Sequence, residues 1–330
     1  MMMKPKIALI IKILVVPTIY AIILRLFFGV KDWESLYTVM SLSFLLLLPF
    51  IVGTLSVYFS SDVNAENVLY KIFIPWLPVF LFLIITLLLA WEGWACWLMV
   101  LPLFLAAASM GGIFGGYLKS RQKQSKMQIS LLLLFPFFLS PLEQSIGSIP
   151  GTYQAYTFID IQSSPDKIWA NVTRVKGITT AQDKGWLTKL LGFPRPVKAE
   201  LNYEGVGAYR KAEFTNGLVF HETVTEYEHQ KKMVFTIKAN PHEIPSTTLD
   251  QHVVVGGQFF DVLNGTYELE KLQEGKYRLH LYSFFKMNTT FNFYASWWAR
   301  WIMQDIQNNI LQVEKQRAEE VKLISEDVSK

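Results

Sequence analysis

The sequence predicts a chain in two parts. An all-α membrane-spanning bundle fills residues 1–148, an α+β domain of antiparallel strands and a long final helix fills 149–322, and 323–330 form a flexible tail. Three observations carry this reading. Before residue 150 the chain is apolar enough for lipid, and after it polar and apolar residues alternate as in a water-soluble fold. Residues 1–150 hold ten Lys/Arg and six Asp/Glu while the remainder holds 21 of each sign, so the whole formal +4 belongs to the first half. All five histidines (His221, His229, His242, His252, His280) fall in the second half.

Five apolar blocks are predicted to span, at about 7–30, 36–59, 68–90, 94–118 and 127–146. The first is about 24 residues, roughly 36 Å at ~1.5 Å per residue, a full crossing rather than a cleavable signal core. Trp91-Glu92-Gly93-Trp94 splits the long 68–118 run by placing a charge and a turn between two indoles that favour the interface. The fifth block is the weakest, with Pro136 and Pro141 in a short apolar core, and a re-entrant path is its alternative.

Short cationic loops stay on the cytoplasmic side. Lys4 and Lys6 place the N-terminus there, and Lys119, Arg121, Lys123 and Lys126 place the loop after the fourth block there too. No Lys or Arg occurs between 127 and 166, and Glu92 fits the opposite side, although Arg25 and Lys31 fall there as well. The expected location is therefore a plasma or inner membrane, with a cytoplasmic N-terminus and an extracytoplasmic C-terminal domain. Gly111, Gly112, Gly115 and Gly116 form two overlapping GxxxG spacings, which suit close helix packing within the bundle or a homodimer. No acidic or histidine chain crosses the blocks, which speaks against an ion-coupled transporter.

In the second half, Thr152–Gln162 reads as a strand. Ser164 and Pro165 then mark a helix start, and a short helix over Asp183–Leu191 stops at Gly192. Strands follow at Val197–Tyr203, Gly207–Phe214, Leu218–Glu228, Lys232–Ala239, Gly257–Leu272 and Tyr277–Asn288, with turns at Thr215-Asn216-Gly217 and Glu274-Gly275. A helix from Phe293 to Val321 closes the domain, its predicted apolar stripe being Tyr294, Trp298, Ile302, Ile306, Ile310 and Val313.

That element order, with Ile161-x-Ser163-Ser164-Pro165-Asp166-Lys167-Ile168-Trp169, Gly205-Val206-Gly207-Ala208-Tyr209-Arg210, Asn216 to Val224 and Gly265-Thr266-Tyr267, resembles the START-like helix-grip superfamily (SRPBCC). This superfamily includes polyketide cyclase/dehydrase-type domains, and the resemblance covers about 152–320. It implies a curved antiparallel sheet gripping the last helix around an apolar cavity, and it leaves open whether the domain only binds or also catalyses.

The expected cavity residues are Trp169, Arg210, Phe220, Glu222, Phe235, Tyr294, Trp298 and Ile302. Glu222 shares a strand face with Phe220 and Val224, and Arg210 on the preceding strand is its candidate partner. A lone buried carboxyl there could orient a ligand or act as acid/base; a structural ion pair with Arg210, or a solvent-facing position for both, is the alternative. Trp297, Trp298 and Trp301 either fill the core, line the cavity or touch a membrane interface.

No metal is expected. His242 and His252 are too far apart in a loop that also carries Glu243 and Asp250. No cofactor motif, nucleophile elbow or basic nucleic-acid stripe is present. The expected partners are the bilayer and a hydrophobic small molecule or lipid, with no nucleic acid. The alternatives are a cyclase- or hydrolase-type enzyme on an apolar substrate and a ligand-free sensory module.

Overall fold

The computed structural model describes residues 9–121, 125–239 and 255–327, with the side chains of 125, 126 and 321–327 left out. Lys4, Lys6, Lys123 and the loop residues His242, Glu243, Asp250 and His252 lie outside the described residues. So does the end of the expected tail, residues 328–330. The chain divides into two units, Met1–Ile149 with Thr289–Phe291, and Pro150–Asn288 with Asn292–Lys330.

The first unit is a helical bundle of α1 (Ile11–Phe28), α2 (Ser43–Tyr58), α3 (Val68–Leu88), α4 (Trp94–Ser120) and α5 (Ser125–Ile146). Four of these, all but α2, are long and apolar enough to cross a membrane, one fewer than expected. At ~1.5 Å per residue α2 is roughly 24 Å long, short of a ~30 Å hydrocarbon core. The reason lies in residues 36–42. Tyr37 is wedged against Phe27, Phe28 and Phe137, and Ser140 Oγ donates to the Leu36 carbonyl at 2.8 Å, which holds this stretch as turns. Glu143 then accepts from the Leu42 and Ser43 backbone N–H groups at 2.6 and 2.8 Å, capping the start of α2 with a carboxylate. The fifth block, expected to be weakest, is instead one continuous helix through both prolines. In α1 and α2 a π-helical turn immediately precedes Pro17 and Pro49, which lets the ring pass the preceding turn without breaking the helix.

Contacts define two ends of this bundle. At one end Arg25 near the end of α1 pairs with Glu92 and donates from Nη2 to the Trp91 carbonyl at 3.1 Å. At the other, Lys119 near the end of α4 donates to the Tyr58 carbonyl at 3.3 Å and faces Asp62 at the same distance. The ends of α2 and α4 therefore share one end, and α2 runs back between α1 and α3 despite its length. The Arg25–Glu92 pair accounts for one of the two cations that disturbed the charge pattern, because a paired, buried Arg25 contributes no free positive charge, whereas Lys31 is exposed.

The four glycines of α4 face helices of the same chain. A Cβ on Gly111 would meet the Phe50 carbonyl oxygen at 1.9 Å and one on Gly115 the Thr54 carbonyl at 2.4 Å, while Gly53 answers from α2 against Ala108 at 2.0 Å. Gly112 abuts the Lys71 carbonyl at 2.0 Å, and Gly116 abuts the Lys71 side chain at 2.6 Å. Both glycine faces are thus occupied within the bundle. Gly111→Ala should cost about 1–3 kcal/mol, since rigid backbone must move apart. The fall in thermal stability of the detergent-solubilised chain, against Met110→Ala on the exposed face, checks this.

The second unit is a curled half-barrel of eight antiparallel strands in the order β1-β8-β7-β6-β5-β4-β3-β2. The strands are β1 (Gly151–Ile161), β2 (Arg174–Val175), β3 (Pro196–Leu201), β4 (Tyr209–Phe214), β5 (Val219–Glu228), β6 (Lys232–Ala239), β7 (Phe260–Gln273) and β8 (Lys276–Met287). Two short helices, α6 (Pro165–Thr173) and α7 (Trp186–Leu191), come before β3, and α8 (Asn292–Asp327) packs on β1 and β8. Pro165 opens α6 as expected, but the Ser164 side chain makes no capping bond. The β4–β5 turn uses Asn216 at φ 62° and Gly217 at φ 79°, left-handed values that Asn and Gly tolerate. The helix runs past the expected Val321 to Asp327.

Its inward stripe also differs from the predicted one. Gln307, Leu311, Glu314 and Ala318 are buried, whereas Ile306 and Ile310 are only half-buried. Trp298, Ile302 and Val313 of the predicted stripe are buried, and Ile310 packs against the core; what apolarity alone left out are the buried polar positions, Gln307 and Glu314 among them.

Candidate functional site

The core of the second unit is apolar: Ile161, Ile168, Trp169, Val224, Met233, Phe235, Leu279 and Leu311 pack together. Into it project four polar side chains. Arg210 on β4 and Glu222 on β5 are cross-strand partners, and Nη1 of Arg210 meets Oε2 of Glu222 at 2.6 Å with both side chains about 5% exposed or less. Strand alternation explains the placement, since Ala208, Arg210 and Ala212 share one inward face of the chain and Glu222 and Val224 share another. Tyr267 on β7 and Glu314 on α8 complete the group, both buried.

The guanidinium carbon of Arg210 lies 5.1 Å from the Phe235 ring centroid and 5.7 Å from that of Tyr267, within cation–π range. Phe235 itself needs Gly265 across the β6–β7 ladder, where a Cβ would lie 2.5 Å from the ring. The Gly265-Thr266-Tyr267 triplet thus supplies both the seat for Phe235 and the phenol of the cluster.

Burial opposes the charge of Arg210, but Glu222, together with Tyr267 and Glu314, outweighs it and holds the guanidinium protonated. For Glu222 burial pushes the carboxyl up and Arg210 works against that, so the pair is a buried salt bridge rather than a free acid. Glu314 is different. Burial drives its carboxyl to about 8, only partly countered by Arg210 and Tyr267. Neither of its oxygens has a well-formed hydrogen bond, and Nε of Arg210 is likewise unsatisfied. At neutral pH Glu314 is therefore mainly a neutral acid, able to donate or accept.

The expected cavity residues are only partly brought together. Arg210, Glu222 and Phe235 meet as described, and Trp169 lies in the same core, its Nε1 donating to Tyr227 Oη at 3.0 Å. Phe220 sits in a separate small cluster with Val175, Ala199, Ala212 and Phe214. Trp298 and Ile302 are buried nearer the start of α8, and Tyr294 is half-buried there. Tyr267 and Glu314 were missed by sequence reasoning. The signal for Glu314 was its spacing of three from Leu311 and four from Ala318, a face visible only once Leu311 is chosen over Ile310. Among the described residues no group of three or more His, Cys, Asp or Glu is placed to hold a metal.

Asp305 and Asp183 have structural roles. Asp305 Oδ2 accepts from the Thr188 backbone N–H at 2.9 Å and from its hydroxyl at 2.6 Å, fastening α7 to α8. Asp183 is held well below the usual carboxylate range by Arg195.

The strand order, the two early helices and the long helix against the sheet are consistent with the helix-grip layout that the sequence resemblance implies. No protein-family model and no curated protein matches the chain. Among solved structures, similarity is found to the Aha1 dimer from Colwellia psychrerythraea (18% identity, 51% of this chain and 96% of that one, TM-score 0.28). It is also found to truncated norcoclaurine synthase from Thalictrum flavum (12%, 50% and 94%, TM-score 0.30). A third is DynU16 of the dynemicin biosynthetic locus (14%, TM-score 0.27), where 48% of this chain matches only 46% of that one. Such scores carry no functional argument, and the fold rests on the topology above.

Proposed function

We propose that this is an integral membrane protein whose helix-grip domain binds an apolar molecule, a lipid or a hydrophobic small molecule carrying a polar head. The observation that carries this reading is Glu314. A buried polar group whose hydrogen bonds are incomplete costs up to roughly 1–3 kcal/mol, and a ligand head group reaching Glu314 and Arg210 Nε would complete them while its tail lies among apolar side chains. The membrane half of the reading is supported by the four long apolar helices. The cytoplasmic N-terminus and extracytoplasmic domain are supported by Arg121, an exposed cation at the end of the bundle from which α5 departs.

A photo-crosslinking experiment tests it. The full chain in native membranes is irradiated with a diazirine-bearing fatty acid, and adducts are mapped by peptide mass spectrometry. Adducts on peptides containing Phe235, Tyr267 or Leu311 are expected; labelling confined to the first 149 residues would overturn the domain's role.

An enzymatic reading has one specific support, the neutral Glu314, which replaces Glu222 as the acid/base candidate because Glu222 is tied to Arg210.

A further inference from the structure

The start of α8 carries aromatic surface that the domain core does not use. Phe293, Trp297 and Trp301 recur at intervals of four and so share one helix face, with Phe293 69% and Trp297 52% exposed. Trp301 contacts both Trp297, tilted at 5.4 Å between ring centroids, and Trp186 of α7, edge to face at 5.7 Å. Trp186 is 58% exposed, and Leu190, one turn further along α7, is 53% exposed. The result is one continuous apolar strip over two helices, flanked by the exposed cations Lys189 and Arg300. Core filling accounts for Trp298 and not for its neighbours on this strip.

Where the strip lies on the domain follows from strand pairing. Gly151, the first residue of β1, is the register partner of Met287, the last residue of β8. Asn292 Nδ2 donates back to the Met287 carbonyl at 3.4 Å, and α8 starts there. The first turns of α8 are thus at the end of the domain where β1 begins. Only Gly147–Pro150 separate β1 from the end of α5, a tether of at most ~18 Å for the five steps at ~3.3–3.6 Å per residue. An aromatic strip at the end of the domain that carries so short a link to a helix able to cross a membrane is suited to lipid as its apolar partner. Indole rings prefer headgroup depth, and flanking cations suit phosphate headgroups.

We propose that Trp186, Leu190, Phe293, Trp297 and Trp301 form a lipid-contact surface that seats the domain on the bilayer headgroup region. This inference rests on the membrane half of the proposed function and not on ligand binding. Seating fixes the domain's orientation and sets the start of α8 where membrane-borne molecules are concentrated.

The test uses the full chain in phosphatidylcholine nanodiscs, with Cys96→Ser as background and an environment-sensitive fluorophore on single introduced cysteines. Trp297→Cys and Leu190→Cys report the strip, the second leaving the aromatics intact. Glu274→Cys, in the exposed β7–β8 turn at the other end of those strands, is the aqueous control. Ile84→Cys, on the exposed side of α3, is the lipid control. A shallow doxyl-labelled phosphatidylcholine should quench the probes at 84, 190 and 297 by roughly twofold or more and leave 274 unchanged. Quenching at 84 with 190 and 297 behaving like 274 would overturn the lipid-contact surface alone. Absence of quenching at 84 would overturn the membrane reading itself, and this inference with it.

Discussion

Arg210→Met is expected to be among the most damaging single substitutions in the second unit. It removes the cation 2.6 Å from Glu222 and leaves two carboxyls, Glu222 and Glu314, in an apolar core with no positive partner on β4. Removing one partner of a buried ion pair costs about 3–5 kcal/mol, because an uncompensated charge or its neutralisation must be accommodated. Hydrogen exchange of β4 and β5 peptides in the full chain measures this locally, and protection should fall roughly 10²- to 10³-fold. Arg210→Met combined with Glu222→Met should recover most of the loss, since a well-packed apolar pair of similar volume is often neutral or better. Unchanged protection in the single variant would mean that the pair is hydrated and structurally dispensable.

This contrast bears on what such a pair is for. An Arg–Glu bridge that apolar residues could replace is weak evidence for stability. Arg210 also meets the Phe235 and Tyr267 faces, which orient the guanidinium and leave Nε available to a ligand.

Much of this arrangement was legible in the sequence. Strand alternation alone placed Glu222 and Val224 on one face, and Asn216-Gly217 announced the hairpin that sets Arg210 against Glu222. The division near residue 150 and the order of strands and helices were equally readable, because hydropathy and turn chemistry are local. What was not readable depended on packing at a distance. The length of α2 is limited by Tyr37 lodging against Phe27 and Phe137, and by Glu143 capping it from about 100 residues away. The identity of the buried neutral acid required knowing which side of α8 meets the sheet. A polar residue on the buried stripe reads as surface in any pattern that ranks positions by apolarity, which is why Glu314 escaped and Glu222, amid strand hydrophobics, did not.

Glu314→Gln should change how stability depends on pH. An ordinary glutamate ionises near 4.5, whereas Glu314 in the fold holds its proton to about 8 because burial penalises the charged form. Between those values the unfolded chain has released a proton that the folded chain still binds. Stability contributed by this group is therefore full below about 4.5, declines as pH rises and levels off above about 8. The slope for one such group is on the order of 1.4 kcal/mol per pH unit, so the total is several kcal/mol at its upper limit. Glutamine keeps the shape and cannot ionise, so thermal unfolding of the detergent-solubilised full chain should show the variant gaining on the wild type from pH 5 to 8, with no further divergence above. Parallel curves would show that Glu314 titrates normally and is solvated. The same proton matters for binding. Below pH 8 the neutral carboxyl can donate to an acceptor on a ligand head group beside Arg210 and Tyr267, whereas the carboxylate formed above it would repel an anionic head. Crosslinking by the fatty-acid probe should therefore fall as pH passes 8 in the wild type and persist in Glu314→Gln, linking the buried acid to ligand recognition rather than to stability alone.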